Sequence, residues 1–149
     1  MSITKFRSNK TGLKVVLTKT ESPIVHVHIC LSTDANNNQG LPHTLEHLIF
    51  HGSEKYSYKA VLDTLATRLL ASKVNAWTAK DHTCYKLSTA GLDGFTILLP
   101  VYLDHILYPL LRTEDFATEV YHMNKEGEEA GVVYSEIKVN LLEGHIKTS

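Results

Sequence analysis

The sequence predicts an α+β fold of two layers, with helices packed on one face of a mainly antiparallel sheet. Three observations carry that expectation. Strand-like segments crowd the first third of the chain. Helical periodicity takes over from residue 41 without regular strand–helix alternation. The 149 residues make one domain, residues 1–149, long enough to bury a core without disulfide staples. A hydrophobic content of 43% and a charged content of 21% exclude wholesale disorder. A net charge of −1 gives no electrostatic case for nucleic acid or an anionic membrane surface. No apolar run approaches the ~18 residues of a membrane span.

Each element follows from local pattern. Ile3 to Ser8 alternates, Asn9 to Gly12 forms a turn, and Leu13 to Lys19 resumes with Val15, Val16 and Leu17. Ser22-Pro23 punctuates, and Ile24 to Ser32 is a third strand rich in Val and Ile. Asp34 to Gly40 is a polar loop. Leu41, Leu45, Leu48 and Ile49 fit a 3.6-residue stripe over Leu41 to Phe50, which Gly52 stops. A second helix is expected over Tyr58 to Leu70. Two short strands follow at Val74 to Thr78 and Thr83 to Thr89, then a third helix from Phe95 to about Leu107 that Pro109 cannot continue. Asp115 to His122 reads as a short helix, Asn124 to Glu129 as an acidic loop, and the residues from Val132 onward as a last helix. No polar tail or cap follows Leu141-Leu142, so the sequence reads as part of something larger.

The start, MSITKFRSNKTG, lacks the apolar stretch of a secretory leader. Cys30 and Cys84 are too few and too isolated for a disulfide framework and are expected to act as small buried hydrophobes. Both points place the chain in a reducing compartment, most simply the cytoplasm, with the basic residues near the N terminus leaving a mitochondrial destination open.

The informative pentapeptide is His43-Thr44-Leu45-Glu46-His47. At ~100° per residue, His43 and His47 sit ~40° apart on one helix face, one turn along the axis. Two imidazoles so placed can bind one ion, and Glu46 shares their edge. This is H-x-x-E-H, the reversed zinc-peptidase motif. Neutral imidazole suits Zn²⁺, a catalytic site needs a third protein ligand, and a carboxylate beside the ion can serve as general base toward water. Spacing alone leaves Glu119, Glu126, Glu128, Glu129, Glu136 and Glu143 open as that third ligand. Glu129, Glu136 and Glu143 recur every seven residues, one stripe of a continuous helix. Glu119 and His122 form a Glu-x-x-His pair, but a di-iron site needs two such pairs on a four-helix bundle, and the early strands speak against it. His26, His28, His51, His82, His105, His122 and His145 are read as packing or surface residues.

His43-Thr44-Leu45-Glu46-His47-Leu48-Ile49-Phe50 with Gly52-Ser53 resembles the metal-site helix of the pitrilysin/insulysin metallopeptidases. Asn75-Ala76-Trp77-Thr78 and Asp81-His82-Thr83-Cys84-Tyr85 resemble two of their strands. Gly131-Val132-Val133-Tyr134-Ser135-Glu136 resembles the segment carrying their third ligand, in the form of the presequence-protease-like branch. The resemblance implies that His43, His47 and Glu136 hold Zn²⁺, that Glu46 is the general base, and that Glu129 is an accessory acid. It implies that Asn75, Ala76 and Trp77 lie on an edge strand where an extended peptide pairs through its backbone. The fold implied is a half-domain like that of the mitochondrial processing peptidases, incomplete at its C-terminal end. The function implied is a zinc metalloendopeptidase acting on peptides or small proteins, with a missing C-terminal half supplying Arg and Tyr contacts. The alternative is a non-catalytic zinc-binding fragment or a scaffold subunit of the same fold.

Overall fold

The computed structural model describes residues 2–34, 40–72 and 75–146, with side chains placed up to Val139. Most of the expected loop (35–39), Val74, and the side chains of Leu141, Leu142, Glu143 and His145 lie outside the described residues. In order, the elements are β1 (Ser2–Arg7), β2 (Lys14–Lys19), β3 (Ile24–Ser32), α1 (Leu41–Leu48) running into a 3₁₀ turn (Ile49–His51), α2 (Val61–Arg68), β4 (Asn75–Thr78), β5 (His82–Ala90), α3 (Leu92–Leu107), α4 (Thr113–Val120), β6 (His122–Met123), β7 (Glu129–Ala130) and α5 (Val132–Ile146).

All pairing is antiparallel. A three-stranded sheet in the order β3-β5-β4 forms the centre, while β1-β2 and β6-β7 are separate two-stranded ladders. The period-2 alternation of β3 turns Val25, Val27 and Ile29 toward the helices. They sit opposite Thr89, Leu87 and Tyr85 of β5. Ile49, Leu62, Ala66, Tyr85, Leu87, Leu98, Val101, Tyr102 and Ile106 form the core between this sheet face and the helices. The Tyr102 hydroxyl donates to the Lys86 carbonyl at 3.0 Å, so the buried phenol is satisfied. An α+β fold with helices on one sheet face is therefore what the chain adopts.

Local differences from the expected elements have identifiable causes. The stripe assigned to the first helix does not face inward throughout: Leu41 and Leu45 are exposed, while Thr44, Glu46 and Leu48 are buried. The inner wall of α1 is polar because it lines a cleft. The second helix starts late, at Val61, because Ala60 takes a left-handed φ of 66°. The fourth helix stops at Val120, where Tyr121 is extended, so His122 lies in β6. The expected acidic loop at 124–129 is the tip of a hairpin. Asn124 Oδ1 accepts from the N–H groups of Glu126 and Glu128, and Gly127 supplies φ 78°. At the hairpin's base Gly131 has φ 137°, and a Cβ there would lie 2.5 Å from the Val120 carbonyl oxygen. That close approach brings α5 back against α4.

Candidate metal centre

Helix α1 positions the first half of the site. Gly40 takes φ 71° before it and Pro42 occupies its first turn, where a missing N–H costs nothing. One turn of helix then separates His43 from His47, and their Nε2 atoms face each other at 3.3 Å. Glu136 arrives from α5, with Oε2 at 3.3 Å from His43 Nε2 and 3.4 Å from His47 Nε2. These three atoms form a nearly equilateral triangle. A tetrahedral ion with ligand bonds of ~2.0–2.1 Å requires donors ~3.3–3.4 Å apart. The two imidazoles and the carboxylate meet that spacing, so the residues present fit a borderline-soft divalent ion.

Glu46 lies beside the triangle, only 8% exposed. Its Oε2 accepts a hydrogen bond from the Thr78 hydroxyl at 2.5 Å. Thr78 belongs to β4, opposite Thr83 of β5, so the sheet itself orients this carboxylate. Burial, with the charge of Glu46 adding to it, pushes the Tyr85 phenol up to about 12.

Behind His47 stands Glu119 of α4, with Oε2 at 3.8 Å from His47 Nδ1 and Oε1 at 2.8 Å from His51 Nε2. His51 Nδ1 in turn lies 3.2 Å from Asp115 Oδ1, which Lys59 approaches to 3.8 Å. A carboxylate facing Nδ1 favours the tautomer with its proton there, which leaves the Nε2 lone pair free to ligate.

A cleft of about 580 Å³ collects these groups; its lining includes His43, Glu46, His47, Glu119 and Glu136 together with Asn75, Ala76, Trp77 and Thr78. Strand β4 is the outer strand of its sheet, and its far edge has no partner strand among the described residues. The structure thus brings together every residue expected at the site except Glu129. That residue lies in β7, where the Tyr134 and Tyr121 hydroxyls donate to its carboxylate. Those bonds, Tyr134's foremost, hold its pKa below the usual range. Glu126 and Glu128 lie on the hairpin tip, and His122 is not on a helix, so no Glu-x-x-His pair forms. Sequence reasoning gave no part in the site to Thr78, His51 or Asp115, and it weighed Glu119 only as a ligand. The available signal was Asp115 and Glu119, i and i+4 on one short helix face.

The model of the insulinase family (peptidase family M16) matches residues 15–145. An uncharacterized protein of Caenorhabditis elegans is 52% identical over 133 residues, covering 89% of this chain and 13% of the relative. An uncharacterized protein of Saccharomyces cerevisiae is 51% identical over 138 residues, covering 91% and 13%. The mitochondrial presequence protease of Gibberella zeae is 38% identical over 121 residues, covering 74% and 12%. The crystal structure of pitrilysin aligns with a TM-score of 0.66 at 25% identity, over 76% of this chain and 12% of that one. The chain spans about an eighth of the length of the curated relatives it matches. Fold, site order and match extent agree: this chain belongs to the insulinase family, peptidase family M16.

Proposed function

We propose that this chain carries the zinc-holding and proton-accepting groups of a metalloendopeptidase that hydrolyses extended peptides. The observation that carries the reading is the triangle of His43 Nε2, His47 Nε2 and Glu136 Oε2, with edges of 3.3–3.4 Å and a buried carboxylate beside it. A zinc ion held there would supply Lewis acidity toward a peptide carbonyl and acidify water. Glu46 takes the proton from the attacking water and returns it to the leaving amine. Thr78 occupies Oε2 of that carboxylate, and Glu46 lines the cleft. The free edge of β4 binds the substrate backbone as an added strand, which accepts many side-chain sequences. The substrates are peptides or small proteins held in extended form.

A second reading is a zinc-binding module that does not turn over peptides by itself. Among the described residues, no Lys or Arg lines the cleft, so no Lys or Arg side chain there would assist a bound ion in holding an oxyanion or would hold a substrate carboxylate. Cationic contacts would come from another part of a longer peptidase.

The test combines metal content with peptide cleavage, with and without a chelator. Glu46→Gln is expected to retain zinc and lose ~10²–10⁴ in rate, while His47→Ala loses zinc. Cleavage by Glu46→Gln at the wild-type rate overturns the base assignment. Undiminished zinc binding by His47→Ala overturns the site. Stoichiometric zinc without hydrolysis selects the second reading.

A further inference from the structure

The sheet face turned away from the helices holds a second pair of reactive side chains. Cys30 of β3 and Cys84 of β5 are directly opposite in the ladder register, and their sulfurs lie 2.7 Å apart. Residues opposite one another in antiparallel strands have Cα atoms ~4.5–5.5 Å apart, inside the ~4.4–6.8 Å range that a disulfide spans. Closing a bond here therefore requires rotation of side chains and no movement of strands. The two thiols differ in access: Cys30 is exposed and Cys84 is fully buried. Trp77 of β4 flanks Cys84 on its other side in register.

We propose that Cys30 and Cys84 form a redox-active dithiol that closes to a cross-strand disulfide on reaction with a low-molecular-weight disulfide. Cys30, the accessible thiol, attacks as thiolate on one sulfur of the oxidant. One oxidant thiolate leaves and a mixed disulfide forms on Cys30. Burial first, and Cys30 beside it second, push the Cys84 thiol up to about 12, so Cys84 rests protonated and does not initiate the exchange. It loses its proton as it attacks the Cys30 sulfur and expels the second oxidant thiolate, which takes a proton up. Two protein thiols are oxidised, the small disulfide is reduced to two thiols, and the protons end on those leaving thiols. The bond staples β3 to β5, closing a loop between positions 54 apart in sequence. Neither thiol lines the cleft, so the inference stands apart from the peptidase reading.

The chain is incubated with glutathione disulfide in the presence of a chelator, quenched by alkylation, and weighed. The expected wild-type product has lost two hydrogens, accepts no alkylation at either cysteine, and melts at a higher temperature than the reduced chain. Trp77 is the single tryptophan. Its emission is expected to fall on oxidation and to recover with dithiothreitol. Cys84→Ala should stop at a glutathione adduct on Cys30. Cys30→Ser, a change at an exposed position, should show no mass change and no change in emission. A wild-type chain that carries only a glutathione adduct, or in which both cysteines remain open to alkylation, overturns the proposal.

Discussion

Helix α1 meets the cleft with side chains locked by their neighbours, whereas α5 meets it with an acid half open to solvent. Glu46 is 8% exposed and tied to Thr78, and His47 is backed by Glu119. Glu136 has a side chain 47% exposed, and among the described residues its polar side-chain contacts are the two histidines themselves. Apolar packing does not make this division: among the described residues each helix buries one apolar side chain, Leu48 on α1 and Val133 on α5, while Leu41 and Leu45 on α1 and Val132, Ile137 and Val139 on α5 are exposed. One wall is preorganised by these polar contacts, and the other is brought in through α4 and the hairpin. Under the proposed function, an ion bound across the triangle would join the two, so that metal affinity would depend on the weaker wall and proton transfer on the stronger one.

This contrast can be broken by paired substitutions. Leu48→Ala is expected to cost ~2–5 kcal/mol in denaturant unfolding, whereas Ile137→Ala stays within ~0.5 kcal/mol. Equal losses would show that Ile137 is packed as firmly as Leu48. Next in size is the acid behind the ligand: Glu119→Gln should weaken zinc binding ~10–100-fold in competition titration while the chain still folds. Unchanged affinity would mean that Glu119 serves only its 2.8 Å contact with His51. The smallest effect concerns pH. Asp104 of α3 holds the loop after α1, accepting from Ser53 and from the Lys55 N–H. The Ser53 hydrogen bond, foremost among the causes, keeps its carboxyl below the usual carboxylate range. A carboxyl with a lowered folded pKa contributes fully above its ordinary value, and that contribution is lost as pH falls through the lowered one. Melting temperature against pH should therefore fall on the acid side, and Asp104→Asn should flatten part of that limb.

What the residue order disclosed depended on how far apart the cooperating groups lie. Val25, Val27 and Ile29 announce a half-buried strand because alternation is local, and β3 spans the residues expected. His43, Glu46 and His47 were legible because one helical turn fixes their geometry. Glu136 could be chosen among six acids only through resemblance to a family, since nothing local distinguishes it. Glu119 was out of reach in its actual place because its approach to His47 results from α4 packing against α1. Glu129 was given an accessory place through the same resemblance, while the seven-residue stripe of Glu129, Glu136 and Glu143 presupposed one continuous helix; α5 begins only at Val132, so Glu129 lies outside it. The hairpin was missed although Asn124 and Gly127 carried its turn chemistry, because two-residue strands leave no alternation to read. Cys30 and Cys84 looked isolated until strand register set them face to face.

Gly131 has a wider consequence. Its backbone passes so close to Val120 that the excursion from Tyr121 to Ala130 leaves and rejoins the body at nearly one point. An excursion closed at its base can grow or shrink without shifting what lies beyond it. Counting residues between the histidine pair and the distal acid is accordingly a poor guide to whether related chains can assemble the same centre. A small residue at the point of return is the better criterion, and insertions or tags placed at the hairpin tip should be borne without harm.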